Sequence, residues 1–145
     1  MKKFDGVEFK PEDFIVSESE YAEAAAQVDP EAVAAIRMAL ENITVFAEAC
    51  KPQDHSFSPR PGVVLGEKFS PMERVGCYIP GGTAPLVSTV CHTVAIAKAA
   101  GVKEIVAATP PMKNGKVNPA TLYALKAAGA TEVWKMGGAY AVAAM

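Results

Sequence analysis

Arg74-Val-Gly-Cys-Tyr-Ile-Pro-Gly-Gly-Thr-Ala-Pro-Leu86 is the stretch that decides the fold of this chain. A short apolar run ends in a Pro-Gly-Gly turn, and a helical pattern follows the turn. Two adjacent glycines carry no Cβ, so a ligand can approach their backbone closely. The helix would direct its free N–H groups and positive dipole end toward the same place. The segment predicts a phosphate- or nucleotide-binding turn between strand and helix, although it matches neither G-x-G-x-x-G nor the Walker loop.

The same alternation of strand and helix continues toward the carboxyl end. Strands are predicted at 75–79, 104–109 and 132–136, and helices at 85–100, at 119–128 and from Ala139 onward. Asn118-Pro119 is an N-cap followed by a first-turn proline, and Gly101 and Gly129 are expected helix stops. Alternating strands and helices form a parallel sheet with right-handed crossovers. The chain is therefore predicted to be α/β, in the order β-α-β-α-β-α.

Ligands of such sheets gather at the carboxyl ends of the strands. Here those ends carry Tyr78-Ile-Pro-Gly-Gly82, Thr109-Pro-Pro111 and Gly137-Gly138. All three segments are rich in turn residues, and two contain glycine pairs. The sequence therefore places its candidate site at this edge of the sheet.

Residues 1–52 have a different character and are predicted to form an N-terminal helical arm. Ser17 and Glu20 have the spacing of a capping box, and Asp29-Pro30 is the expected start of a second helix. Its apolar positions recur at steps of three and four and form one stripe. They are Val33, Ile36, Leu40, Ile43 and Phe46. The arm has little core of its own, so it must pack on the rest of the chain or on a partner subunit.

Residues 53–145 are predicted to form the α/β domain, led by a proline-rich connection over 53–72. Within the connection, Gly62–Phe69 reads as an edge strand or one arm of a hairpin. His55 is expected in a loop of this connection. The acidic residues lie mainly on the arm, where they read as a solvated helix face.

Composition narrows the function classes. The chain has 145 residues, 50% of them hydrophobic, and a net charge of −2 without a long basic run, so nucleic acid is an unexpected partner. No apolar stretch approaches the ~18 residues of a membrane span, and no signal peptide is recognised. Three cysteines without C-x-x-C spacing fit reduced thiols. A cytoplasmic location is predicted.

Few side chains in this chain have the pattern of a catalytic or metal site. Cys91 and His92 are adjacent, but neighbours on a helix point about 100° apart, and no further ligand has matching spacing. Cys77 has no neighbouring base and is expected in the core. No carboxylate pair lies at a strand end. The sequence thus predicts no catalytic residue and no metal ligand within the chain.

An ordered set of short motifs resembles the N-terminal part of histidinol dehydrogenase. The resemblance covers nearly the whole chain, from Phe4 to Met145, and the order of the motifs makes it specific. The motifs are Pro59-Arg-Pro-Gly-Val-Val-Leu-Gly66, Glu73-Arg-Val-Gly-Cys-Tyr-Ile-Pro-Gly-Gly82, Ala84-Pro-Leu86, Ser88-Thr-Val90, Ala100-Gly-Val102, Thr109-Pro-Pro111 and Gly137-Gly-Ala139.

The resemblance implies NAD-dependent oxidation of L-histidinol to L-histidine, the end of histidine biosynthesis, by a zinc-containing homodimer. It implies an incomplete Rossmann-like domain, with Tyr78 as a contact of NAD. A second NAD contact of the family is the glutamine of a Gly-Gly-Ala-Gln motif, and this position is Tyr140 here. The phenol of Tyr140 differs from the amide of the family's glutamine. A relative of the family that oxidises another small alcohol is therefore an alternative interpretation.

The family's catalytic Glu-His pair and its zinc ligands map beyond Met145, so the resemblance implies a partial chain. We expect that the chain alone does not turn over histidinol. A third interpretation is a non-catalytic assembly module, since two arm helices offer apolar surface to a partner.

Overall fold

The structure is a computed structural model that describes residues 7–81 and 84–145. A single 3-10 turn, Pro11–Asp13, precedes the longer elements. The helices are α1 (Glu18–Gln27), α2 (Pro30–Ala49), α3 (Val87–Val90), α4 (Ile96–Ala99), α5 (Pro119–Ala128) and α6 (Gly138–Ala144). The strands are β1 (His55–Arg60), β2 (Val63–Glu67), β3 (Arg74–Tyr78), β4 (Glu104–Thr109) and β5 (Glu132–Lys135). A π-helical turn, Cys91–Ala95, joins α3 to α4.

The predicted α/β fold is confirmed by a parallel sheet with strand order β3-β4-β5. β4 has the predicted bounds and lies between its two neighbours. α5 also has the predicted bounds, because Asn118 accepts hydrogen bonds from the N–H groups of Ala120 and Thr121. Gly129 ends it in the left-handed conformation with φ of 95°, which glycine adopts without a Cβ penalty.

Helices cover both faces of this sheet. Ile105 and Ala107 of β4 share one face and belong to the main core with Cys91, Val94 and Leu125 from the helices between the strands. The alternate residues of β4, Val106 and Ala108, are equally buried but lie outside that core, on the opposite face. α6 contacts β3 and β4 there, with Ala141 fully buried and the Met145 side chain against Gly76. The layers are therefore helix, sheet and helix.

The arm packs on the layer of helices and also extends the sheet. Ser17 caps α1 in the predicted capping box with Glu20, and Asp29 caps α2. α1 lies against α5, and α2 lies against α4, α5 and the π-helical turn. Val16 N–H donates to Val133 O (2.9 Å), and Lys135 N–H donates to Phe14 O (2.7 Å). A short antiparallel bridge of the arm therefore covers the outer edge of β5.

Three details differ from the sequence expectations. Phe46 is 72% exposed, because the buried stripe of α2 reaches only from Ile36 and Leu40 to the half-buried Ile43. The helix expected at 85–100 begins at Val87 and contains the π-helical turn, where the Thr93 hydroxyl bonds Thr89 O (2.7 Å). His55 is exposed as expected, but it lies in β1 rather than in a loop.

The connection before the sheet forms an antiparallel hairpin of β1 and β2 around Gly62, whose φ is 80°. Phe57 and Leu65 face each other across the two strands and are both exposed. Every residue of the two strands is exposed except the half-buried Val63. A two-stranded hairpin alone has marginal stability in water. Its apolar side chains are thus available for contact with further polypeptide.

Ion pairs join the arm to the α/β part of the chain. Glu18, Glu20 and Glu23 of α1 pair with Lys126, Lys135 and Lys116 respectively. Two of these pairs are well exposed, whereas the Lys135 side chain is only 8% exposed and that of Glu20 21%. The acidic face of α1 is therefore not simply solvated as expected, and Glu20 in particular lies within the contact with β5.

We expect Lys135→Met to lower the free energy of unfolding by roughly 2 kcal/mol, because Glu20 would lose its partner in a largely desolvated place. The full cost of a completely buried pair is not expected, since Glu20 keeps some solvent contact. Lys126→Met is the matched control: its Nζ lies at the same 2.9 Å from a carboxylate, but Glu18 is 83% exposed. The control should change stability by less than about 1 kcal/mol. Urea unfolding measures both, and equal effects would contradict the role given to burial.

Candidate functional site

The carboxyl ends of β3, β4 and β5 meet at one edge of the sheet, as the topology requires. Ile79-Pro80-Gly81 follows Tyr78, the last residue of β3; Pro110-Pro111 follows β4, and Met136-Gly137 leads from β5 into α6. Gly82 and Thr83, which belong to the predicted turn, lie outside the described residues. The candidate site is therefore described from the remaining parts of the three turns.

Pro110 lies between the two glycine turns. A Cβ added to Gly81 would lie 2.7 Å from Pro110 Cγ, and one added to Gly137 would lie 2.8 Å from Pro110 Cβ. Both distances are shorter than real contacts of a Cβ, so neither position accepts a side chain without movement. Gly81 and Gly137 thus allow the three turns to pack around one proline ring.

Tyr78 connects the first turn with the third. Its hydroxyl oxygen accepts a hydrogen bond from the N–H of Gly138 (3.2 Å), at the start of α6. Tyr78 alternates with the core residue Cys77, so it lies on the face of the sheet that α6 covers. The half-buried ring therefore lies at the strand end, with its hydroxyl against the Gly137-Gly138 turn.

Gly138 offers open backbone at this edge. Its φ is 66°, and nothing lies within 4 Å of the place where a Cβ would be. Tyr140 follows on α6 and is 70% exposed. Tyr78 therefore contacts this glycine through its hydroxyl, whereas Tyr140, the other predicted cofactor residue, lies two positions after it on α6.

Two residues of the strand ends were missed by the sequence analysis. Pro110 was included only as part of the Thr109-Pro-Pro111 turn, although its ring is the point on which both glycine turns pack. Lys135, the last residue of β5, was taken as an ordinary strand residue, yet it is buried and its Nζ bonds Glu20 Oε1 (2.9 Å). A lysine two residues after the apolar Val133, at a position that alternation places inside, was the signal available for it.

Glu20 and Glu23 of the arm both have a lowered pKa, and Glu20 is the less exposed of the two. Burial raises its pKa, but hydrogen bonds from the Ser17 N–H and from Lys135, together with the lysine charge, outweigh this effect. The pKa of Glu20 is therefore lowered in the folded chain, which keeps the carboxylate ionised and paired. Tyr21 lies nearby, and its burial, with the charges of Glu18, Glu20 and Glu132, raises its pKa to about 12.

The remaining candidate residues do not converge on this edge. Cys77 and Cys91 are buried in the core as free thiols, and burial raises the pKa of both. His92 is exposed on the π-helical turn. Within residues 7–81 and 84–145 no group of three or more His, Cys, Asp or Glu residues could hold a metal ion. In the same residues, no helix is long and apolar enough to cross a membrane.

This arrangement defines an α/β protein whose candidate site lies at the carboxyl ends of parallel strands. A family model described as histidinol dehydrogenase matches residues 1–145. Histidinol dehydrogenase of Heliobacterium mobile is 46% identical over 144 residues, and that of Methanosarcina mazei is 46% identical over 145. Each alignment covers 99% of this chain but only 34% and 33% of the relative.

A solved structure gives the same result. The crystal structure of histidinol dehydrogenase from Elizabethkingia anophelis matches 99% of this chain and 33% of its own, with a TM-score of 0.92 and 39% identity. The chain belongs to the histidinol dehydrogenase family, a family of oxidoreductases, and corresponds to an N-terminal portion of the enzyme. It spans about a third of the length of the relatives it matches.

The packing around Pro110 makes a specific prediction for glycine replacements. We expect Gly81→Ala to destabilise the chain by about 1–3 kcal/mol, because the new methyl group overlaps Pro110 Cγ. Pro110→Ala removes Cγ and should relieve much of this cost in the double variant. It should not relieve Gly137→Ala, whose closest contact is Pro110 Cβ, which alanine retains. Thermal unfolding of the two double-mutant cycles measures the difference, and equal rescue in both cycles would contradict the geometry.

Proposed function

We propose that this chain is the cofactor-side portion of an enzyme that oxidises L-histidinol to L-histidine with NAD. The observation that carries the proposal is the strand-end edge itself. Tyr78, Gly138 and Tyr140 border approachable backbone there, in a chain that belongs to the histidinol dehydrogenase family. The class of reaction comes from the family, and the place of the cofactor comes from the topology.

The topology supports a cofactor crevice of which this chain builds one side. The helices between β3, β4 and β5 lie on one face of the sheet, whereas α6 lies on the other. A crossover through α6 would bring a following strand beside β3, so the strand order would reverse there. Ligands of open parallel sheets bind at such a reversal. The turn after Tyr78 and the turn before Gly138 both border this place.

Tyr78 and Tyr140 are the residues that we propose as contacts of NAD. The ring of Tyr78 offers an apolar face at the strand end, and its hydroxyl already bonds the N–H of Gly138. Gly138 has room for close approach of a ligand, since the place of a Cβ is empty. These residues fit the binding of a dinucleotide. NAD would accept the hydride removed from the substrate alcohol.

Zinc does not fit the described residues, because they contain no cluster of potential ligands. In the proposal, the zinc ligands and the catalytic pair belong to parts of the complete enzyme outside this chain.

The homodimer is also part of the proposal. Exposed apolar side chains such as Phe46, Val64 and Met72 support contact with further polypeptide. A cytoplasmic location completes the proposal and agrees with the three free thiols.

A second candidate function is NAD-linked oxidation of another small alcohol. Tyr140 favours it, since an exposed phenol on α6 offers a larger ring and different hydrogen bonds than an amide would. Replacing Tyr140 by glutamine in the complete enzyme and comparing kcat/KM for histidinol with that for other alcohols separates the two functions. A rise in kcat/KM for histidinol would favour the second candidate.

We expect the purified 145-residue chain to produce no NADH when it is given NAD, zinc and L-histidinol. The described strand ends contain no carboxylate or histidine placed as a base, and no metal cluster. Absorbance at the wavelength of NADH measures the reaction, with a full-length relative as the positive control. Production of NADH above the background without enzyme would contradict the partial-chain interpretation.

NAD binding tests the proposed site directly. We expect NAD to bind the chain weakly, with Kd of about a millimolar, because one side of the crevice is present. NMR titration should shift the resonances of Tyr78, Gly81 and Gly138. Tyr78→Phe should weaken binding several-fold, because the turn at Gly138 loses the hydroxyl that holds it beside the ring. Tyr123→Phe is the matched control, since its hydroxyl bonds Arg37 on α2 instead. Shifts elsewhere, or equal effects of the two variants, would contradict the assignment.

A further inference from the structure

Glu20 lies on the arm, yet it is linked to the end of β5 by one carboxylate group. Its Oε2 accepts a hydrogen bond from Ser17 N–H (2.9 Å), which closes the capping box of α1. Its Oε1 accepts a hydrogen bond from Lys135 Nζ (2.9 Å). The side chain therefore joins the start of a helix to the last residue of a strand 115 positions away.

Lys135 is held by its backbone as well as by its side chain. Its N–H donates to Phe14 O (2.7 Å), and Nζ lies 5.4 Å from the centroid of the Phe9 ring. The residue is 7% exposed. Three parts of the arm therefore fix the place where β5 ends.

The place where β5 ends determines the position of the Gly137-Gly138 turn. Only Met136 separates Lys135 from Gly137, which packs against Pro110. Lys135 lies two residues after the core residue Val133 in the same strand. Its side chain is therefore on the same face as Val133, which the arm and α5 cover. Gly138 bonds Tyr78 on the opposite face. The turn is thus held from both faces of the sheet, by Tyr78 on one side and by Glu20, through Lys135, on the other.

The other ion pairs of α1 do not reach this turn. Glu18 pairs with Lys126 near the end of α5, and Glu23 pairs with Lys116 in the segment before α5. Both pairs are more exposed than that of Glu20. They support the packing of α1 on α5, whereas Glu20 alone among the three acts on the end of β5.

We propose that Glu20 is a positioning residue for the cofactor edge and holds the Gly137-Gly138 turn in place through Lys135. Its role at the turn is independent of the ligand, and its effect on NAD rests on the proposed function. A displacement of the turn by a fraction of an ångström would weaken the binding of a ligand that contacts Gly138 and Tyr78, because binding depends on the placement of several groups at once. Glu20 itself touches neither.

The test uses Glu20→Gln in the 145-residue chain. Glutamine at this position can still close the capping box with Ser17, so the start of α1 is retained while the charge opposite Lys135 is lost. Glu18→Gln is the matched control, because it removes an equivalent charge from an exposed pair on the same helix. Amide hydrogen exchange measured by NMR reports on each segment separately.

We expect Glu20→Gln to accelerate exchange of the Lys135 and Gly138 N–H groups about ten-fold more than it accelerates exchange of the amides between β3 and β4. Glu18→Gln should leave both sets unchanged. Lys135→Met should reproduce the local pattern of Glu20→Gln, and the double variant should add nothing to it. Uniform acceleration throughout the sheet, or no difference between Glu20→Gln and Glu18→Gln, would overturn the proposal.

An NAD titration of the same variants separates this inference from the proposed function. Weaker binding by Glu20→Gln than by Glu18→Gln supports the positioning role at the cofactor edge. Unchanged NAD affinity despite local acceleration of exchange would overturn that role. Failure of the unaltered chain to bind NAD would count against the proposed function, while the exchange rates would still decide whether Glu20 positions the turn.

Discussion

Burial of β4 on both faces is the constraint on which the rest of this structure depends. Residues 105 to 108 of that strand are almost completely inaccessible. A parallel strand cannot be joined to its neighbour by a tight turn, so each connection must carry a helix across the sheet. These helices cover one face, and α6 covers the other. Each crossover also brings a turn to the same edge, so the ligand edge results directly from covering the strand.

Prediction of the fold succeeded where independent local signals agreed. For α5, a capping asparagine, a first-turn proline and a terminal glycine all indicated the same bounds. The prediction was wrong where the contact that decides the structure involves residues far apart in the sequence. Helical periodicity identified the apolar stripe of α2, but it did not indicate that Phe46 at the end of the stripe would be exposed. No sequence signature in Cys91–Ala95 indicates the π-helical turn. Pro59 argued against a strand at this position, but the exposed strand β1 of the hairpin tolerates a proline.

The edge of the sheet that carries the candidate site was predictable from the sequence, but the packing role of its individual residues was predictable only in part. Strand ends and glycine pairs indicated one edge of the sheet, and the parallel topology brings these strand ends together there. The glycines at 81 and 137 were interpreted as room for a ligand, whereas the structure uses them as room for Pro110. Gly138 is the one that offers open backbone. The contact of Glu20 with Lys135 could not be inferred, since no local pattern links residues so far apart.

The bridge between the arm and β5 has a consequence for the order of folding. The arm is synthesised first, but the strand whose edge it covers is completed more than a hundred residues later. Until then the edge-forming segment around Ile15 lacks its partner in β5, although α1 can already pack against α5. Contacts between such distant residues carry a loop-closure cost and slow folding. The contact of the arm with β5 is therefore one of the last that the chain can complete during synthesis, although the arm precedes the sheet in the sequence.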